Sequence, residues 1–325
     1  MKIWRRRMLF ATGTLLALPG VLAQSRQVHW VAFLSGGRPA DTEAFFSEFL
    51  NGMRALGYRE GDNLSIDAQF AEYSPERVGR LAAEIAARKP GVILTSGSGI
   101  TPAVQLVPPL PVVFLHSGDP VEGGYADSLG RPGRNATGIS LLALDLIAKR
   151  LELLKELKPG MRRVAFLASP LHPGQKRELA ASRAAAAQLG IEVVYHEVRN
   201  PAELAAALPV VAAEKPDGAL LFSDSLMIGQ RQELAEFFLK HRIPSVAGWS
   251  AFPDSAHLLS YGPERKAVWR RLAYFVDRVL KGARPADLPI ELPTVFELVV
   301  NRRTAAAMGL SLPQAILLRA NRVVE

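Results

Sequence analysis

The 325-residue chain has 49% hydrophobic and 22% charged residues, the balance of a globular protein, and is long enough for about two domains with buried cores. It contains no cysteine, which excludes disulfide scaffolds, thiolate zinc sites, iron–sulfur clusters and cysteine nucleophiles together. The net charge of +8 invites a nucleic-acid reading, but half of that surplus is carried by Lys2, Arg5, Arg6 and Arg7.

Those four cations open a segment laid out as a secretory signal peptide. Apolar residues 8–18 follow, then Pro19-Gly20, then small Val21 and Ala23 before Gln24. The apolar run is shorter than the roughly 20 residues that span a bilayer, and no later segment is long enough either. The sequence therefore predicts a signal peptide over residues 1–23, cleaved after Ala23, and a mature periplasmic protein. Arg6-Arg7 also permits twin-arginine export. No cysteine follows the apolar core to carry a lipid, so no stable membrane anchor is expected.

Residues 29–34 form an apolar run ending at Ser35-Gly36-Gly37, which predicts a buried strand and a loop. Phe45, Phe49, Met53 and Leu56 recur at helical spacing, with Gly57 placed to end the helix. Residues 64–70 alternate as a strand. Ser74 and Pro75 supply an N-cap and a first helical residue, and that helix stops at Lys89-Pro90. Residues 91–95 are a strand opening into Ser96-Gly97-Ser98-Gly99. A strand over 111–115 opens into His116-Ser117-Gly118-Asp119-Pro120.

The second half repeats the plan. A strand over 163–167 ends at Ser169, and an Ala-rich helix closes at Leu189-Gly190. A strand over 191–198 precedes a helix from Asn200-Pro201 to Lys215-Pro216. A strand over 217–222 then opens into Ser223-Asp224-Ser225. The stretches LAAEIAARKPGVILTSG and LPVVAAEKPDGALLFSD write one helix–strand–loop unit twice. Such alternation predicts an α/β fold of two doubly wound parallel-sheet lobes with a ligand cleft between them. Near residue 258 the alternation breaks. A strand over 258–261 is followed by an amphipathic helix over 263–281, a proline-bearing crossing segment over 283–293, a strand over 296–300 and a short helix closed by Gly309.

Ligands of parallel α/β sheets sit beyond the carboxyl ends of the strands. Here those ends are loops rich in Ser, Gly and Asp, suited to holding a small polar molecule without chemistry. Enzyme motifs do not compete well. Gly97-Ser98-Gly99 begins like a dinucleotide loop, but Pro102 stands where the third glycine belongs. His116, Ser117 and Asp119 are too close in sequence to aim at one another as a triad. The histidines lack metal-ligand spacing, and the Arg270-Arg271 and Arg302-Arg303 pairs lack the interleaved aromatics of nucleic-acid binders. Neither catalysis, metal, cofactor nor nucleic acid is expected.

The segments HSGDPVEGGYADSLGRPGRNATG, KRLELLKEL, SYG, RPADLPIELPTVFELVVNRRTAAAMGLSLP and LLRANRVVE resemble substrate-binding proteins of ABC importers of the tryptophan/tyrosine-binding type, over essentially the whole mature chain. The resemblance implies a type I periplasmic-binding fold, hinge closure on an amino-acid-like ligand, and delivery by a monomer to an ABC permease in the inner membrane. It matches Ser117, Asp119 and Pro120, then Asn135, Thr137 and Gly138, and Tyr261. It further suggests Ser96, Ser98 and Ser117 for a carboxylate and Asp224 for an amine. Ser35, Gly97 and Ser225 complete the expected ligand set, and Trp249 and Tyr261 are candidates to stack on a ring. Arg134 and Ala256-His257 depart from the family's glycines. The expected lobes are 24–120 with 259–285, and 121–258 with 286–325. A sensing partner for a membrane receptor or sensor kinase is the alternative reading; an α/β hydrolase or dehydrogenase is a distant one.

Overall fold

The computed structural model describes residues 28–325 apart from 142–145, 171–174 and 223, so the expected signal peptide lies outside the described residues. The first sheet contains β1 (His29–Ser35), β2 (Leu64–Phe70), β3 (Val92–Ser96), β4 (Val112–His116) and β5 (Ala136–Ser140). Its strands are all parallel and lie in the order β2-β1-β3-β4-β5. The second sheet contains β6 (Arg163–Ala168), β7 (Glu192–Glu197), β8 (Gly218–Leu221), β9 (Ser245–Ala247), β10 (Leu259–Pro263), β11 (Phe296–Asn301) and β12 (Arg322–Val324). Its order is β12-β11-β10-β9-β8-β6-β7, with β10–β11 the antiparallel pair. The run β7-β6-β8-β9-β10 thus repeats the strand order of the first sheet, as the duplicated sequence unit led us to expect.

Helices cover both sheets: α1 (Pro39–Ala55), α2 (Pro75–Arg88), α3 (Ile100–Val104), α4 (Ile147–Leu157), α5 (Gln175–Gln188), α6 (Pro201–Glu214), α7 (Ser225–Gly229), α8 (Arg231–His241), α9 (Ala251–Asp254), α10 (Arg265–Leu280), α11 (Arg302–Met308) and α12 (Gln314–Arg319). Each sheet is buried on both faces, because strand side chains alternate sides. In β1, Val31 and Phe33 enter the core under α1 and α10, whereas Ala32 and Leu34 enter the one under α2. In β6, Phe166 and Ala165 divide in the same way.

The repeat extends to cap chemistry. Ser74 and Asn200 accept the N–H groups of Arg77 and Glu203 at 3.1 and 2.9 Å, each ahead of a proline in the first turn. Lys89 and Lys215 then end their helices in the left-handed conformation, at φ 54° and 49°.

Strand pairing corrects the expected lobe boundaries. The segment 121–140 was assigned to the second lobe, yet β5 pairs with β4 in the first sheet. The strand at 259–263 was assigned to the first lobe, yet β10 lies between β9 and β11 in the second. Helix α10 does join the first lobe, where Val268, Trp269, Leu272 and Val276 fill the core beside α1. The sequence holds no signal for which sheet a strand completes, since either edge would satisfy its hydrogen bonds. Between the lobes, Glu291 of the crossing segment bonds both ways with β5, donating to Gly138 O and accepting from Ser140 N, each at 3.0 Å. Gly138 is required at this junction: its φ is +146°, and a Cβ there would stand 2.0 Å from Phe114 O.

Candidate functional site

In an open α/β sheet, ligands collect where the strand order reverses, at the carboxyl ends of the two strands flanking the reversal. In the first lobe that point lies between β1 and β3, and in the second between β6 and β8. The loops leaving these four strands face one another across the interlobe cleft. A smaller cavity is lined by Gly36, Gly97 and Ser98 from one side and Ser169, Asp224 and Ser225 from the other. A larger one, about 490 Å³ including its mouth, is lined by Asp41, Thr42, Ser96, Gly97, Leu115, Ser117 and Leu141, facing Asp224, Ser225, Ile228 and Trp249, with Arg265 at the first residue of α10.

The lobes touch in this structure. Arg38 Nη2 donates to Gly229 O at 3.1 Å, and Glu122 pairs with Arg177 across the cleft. Arg38 is in turn held by Asp41, whose carboxylate also accepts the Tyr73 hydroxyl. Burial, with Asp41 adding to it, pushes the Tyr73 hydroxyl far above its ordinary value, so it remains a donor. The contact is close enough that a Cβ on Gly229 would lie 1.9 Å from that hydroxyl oxygen.

Six of the expected residues are brought together at the cleft: Ser96, Gly97, Ser98, Ser117, Asp224 and Ser225. Asp224 serves two ends. As N-cap of α7 it accepts Met227 N at 2.9 Å, and it reaches Ser169 N at 3.2 Å. Burial pushes its carboxyl up to about 6, opposed by the backbone N–H groups it accepts. Its two oxygens retain acceptor capacity beyond those bonds.

The other four expected residues do different work. Ser35 is fully buried, and its Oγ accepts Gly37 N at 3.2 Å within the turn after β1. Asp119 is exposed and ties a turn by accepting Val121 N at 2.8 Å. Thr137 is buried in β5 and donates to Leu288 O at 2.7 Å, fastening the crossing segment to the sheet. Tyr261 stacks on Phe296 in the second sheet, its carbonyl accepting Arg150 Nε at 2.8 Å. Motif position does not tell a ligand contact from a backbone clamp, because both use the same short polar side chains. Of the departures from the family's glycines, Ala256 keeps the glycine-like conformation at φ +67°, and Arg134 braces its loop through Asp127 and Gly124 O, both at 3.0 Å.

Arg265 is the residue that sequence reading missed. It is 5% exposed, and its guanidinium lies 3.6 Å from the centre of the Trp249 ring and 4.5 Å from that of Phe45. Its Nε and Nη1 have no acceptor among the described residues. Burial pulls its pKa down to about 9, which leaves it a cation at neutral pH. The only local signal was a cation in the first turn of a helix, where the dipole disfavours it. Trp249, expected as a ring-stacking residue, does line the cavity, but the guanidinium occupies one of its faces.

Comparison with known proteins agrees with this architecture, which is that of type I periplasmic binding proteins. The chain is 24% identical over 264 residues to a tyrosine-binding protein of Clostridioides difficile strain R20291, spanning 81% of this chain and 75% of that one. A solved conserved domain protein from Vibrio cholerae superposes with a TM-score of 0.84 at 24% identity, over 91% of this chain and all of that one. An ABC domain from Streptococcus pneumonia in complex with L-Trp gives 0.82 at 21% identity, over 92% and 100%. The family model for ABC transporter substrate-binding proteins matches residues 37–324, and the chain therefore belongs to that family, one of binding proteins rather than enzymes.

Proposed function

We propose that this protein is exported to the periplasm and closes its two lobes on a small aromatic amino-acid-like ligand, which it passes to an ABC permease in the inner membrane. The observation that carries this reading is the cleft itself. Strand-end loops of both lobes converge there, so one molecule touching both sides stabilises the closed arrangement over the open one. Ser96 and Ser117 offer hydroxyls, Asp224 offers a carboxylate to an ammonium, and Leu115, Leu141, Ile228 and Trp249 offer apolar surface to a ring. The tyrosine-binding and L-Trp-complexed relatives support an aromatic amino acid. The basic, apolar and small-residue layout of residues 1–23 supports export. Among the described residues no helix is long and apolar enough to cross a membrane.

Thermal-shift titration of residues 24–325 against L-tyrosine, L-tryptophan, L-phenylalanine, L-leucine and neutral sugars tests the ligand class. Ligand at about 100 times its Kd stabilises by about 2.7 kcal/mol, a shift of several degrees for a protein of this size. A shift with an aromatic amino acid and none with sugars is expected. Stabilisation by sugars alone would sink the reading. For export, fractionation with N-terminal sequencing should find the protein in the periplasm, beginning at Gln24.

A further inference from the structure

We propose that Arg265 is the anchor for a carboxylate on the bound ligand, so that the cleft accepts carboxylic acids, α-amino acids among them, and rejects their amides and the corresponding amines. The inference rests on the reading of this cleft as the ligand site. Three observations lead to it.

The first is the guanidinium's own geometry. A guanidinium donates in its plane and stacks through its faces. In this structure its central carbon lies over the Trp249 and Phe45 rings, while Nε and Nη1 are buried at the cavity without an acceptor among the described residues. A buried cation left so is costly unless something else completes it.

The second is that the neighbouring carboxylates are committed elsewhere. Glu264, next in sequence, turns back on its own helix to accept Lys266 N at 3.0 Å and Ala267 N at 2.8 Å. Asp41, which lines the same cavity, accepts Arg38 N at 2.8 Å and the Tyr73 hydroxyl. Asp224 accepts the backbone N–H groups of Met227 and Ser169. No ion pair of Arg265 with any of them forms. Among the described residues no carboxylate engages its Nε and Nη1, which leaves them open to an incoming anion.

The third is the placement of the two charges. Arg265 heads α10, which packs into the first lobe, while Asp224 stands in the second. An α-amino acid presents one charge to each, so both lobes are engaged only when carboxylate and ammonium are present together. The Ser-rich loops, which sequence reading assigned to the carboxylate, then act as neutral donors around it.

Isothermal titration with L-tryptophan, L-tyrosine, L-tryptophanamide, tryptamine, L-leucine and a neutral sugar tests the anchor on the wild-type protein and on Arg265→Gln and Arg265→Lys. Wild-type protein should bind an acid at least about a hundredfold more tightly than its amide or amine, the loss expected when one partner of a buried charge pair is truncated. Arg265→Gln should abolish that preference, and Arg265→Lys should restore part of it, because lysine keeps the charge but not the planar fork. Wild-type protein that binds tryptophanamide as well as tryptophan overturns the anchor whether or not the variants fold. So does a folded Arg265→Gln protein that retains wild-type affinity for the acid. Arg265-dependent binding of leucine but of no aromatic acid keeps the anchor and removes the aromatic reading. Binding of the sugar alone, with no carboxylate bound, removes both.

Discussion

His257 shows how a single buried group shapes the response to acid. Its Nε2 lies 2.7 Å from Arg231 O, which can only accept, so Nε2 carries the proton and Nδ1 accepts from the Ser245 hydroxyl at 3.0 Å. Burial lowers its pKa to about 4, and His116 is lowered to about 4 in the same way. A histidine whose folded pKa is depressed contributes stability above its unfolded value, near 6.5, and loses it as pH falls from there towards 4. Asp224 runs the other way: raised to about 6, it holds a proton in the fold that the unfolded chain has released, so its contribution falls as pH rises from 3.8 to 6. Urea denaturation of wild-type protein and His257→Gln at pH 7 and pH 4 separates the two. The stability gap between them should shrink by up to about 3 kcal/mol at the lower pH. A gap that stays constant would show that His257 has the same pKa folded as unfolded, so that burial does not depress it. For binding tests at Asp224 itself, asparagine is the informative replacement, because it keeps the N-cap of α7 while removing the charge.

At the scale of elements, the repeated helix–strand–loop unit was legible because its punctuation is local chemistry. Ser74-Pro75 and Asn200-Pro201 start helices through bonds made within three residues. Lys89-Pro90 and Lys215-Pro216 end them, because the prolines cannot continue a helix. Asn200→Ala should cost about 1 kcal/mol, whereas Lys215→Gly should stabilise by about 1 kcal/mol by relieving a left-handed backbone that a Cβ disfavours. Equilibrium denaturation checks both, and a destabilised Lys215→Gly protein would contradict the cap assignment. Strands β5 and β9 were not legible. Gly138 and Pro244 interrupt or border apolar runs too short to carry a period of their own, and these elements exist because neighbours pair with them. The expected lobe boundaries failed for the same reason, since a strand's sheet is chosen by tertiary pairing.

At the scale of the whole molecule, the proposed closure depends on how nearly α7 approaches the first lobe. Gly229 allows Arg38 to reach its carbonyl while the Tyr73 hydroxyl lies where a Cβ would be. Tyr73 is held by Asp41 and cannot easily swing away. Gly229→Ala should therefore disfavour the closed state and weaken ligand binding by about tenfold or more, the effect of an overpacked contact of 1–3 kcal/mol. Small-angle scattering with saturating ligand should show a larger radius of gyration for the variant, and Tyr73→Phe in the same chain should recover part of the affinity. Unchanged affinity and radius would mean that this contact does not limit closure.

The amino-acid sequence by itself determined the α/β class, the doubling into two lobes, the caps and the polar strand-end loops. These follow from hydrophobic period and from bonds spanning a few residues. The tertiary structure decided which polar residues share a cavity. It placed Ser96, Ser117 and Asp224 across the cleft, and gave Ser35, Asp119 and Thr137 to turns and backbone clamps. It also decided the state of Arg265, which in sequence is one of many surface-type cations. Only packing brings Phe45 and Trp249, about two hundred residues apart, against its guanidinium, and leaves its Nε and Nη1 without an acceptor among the described residues. Burial and the absence of a partner belong to neighbours distant in sequence, and no local pattern encodes them.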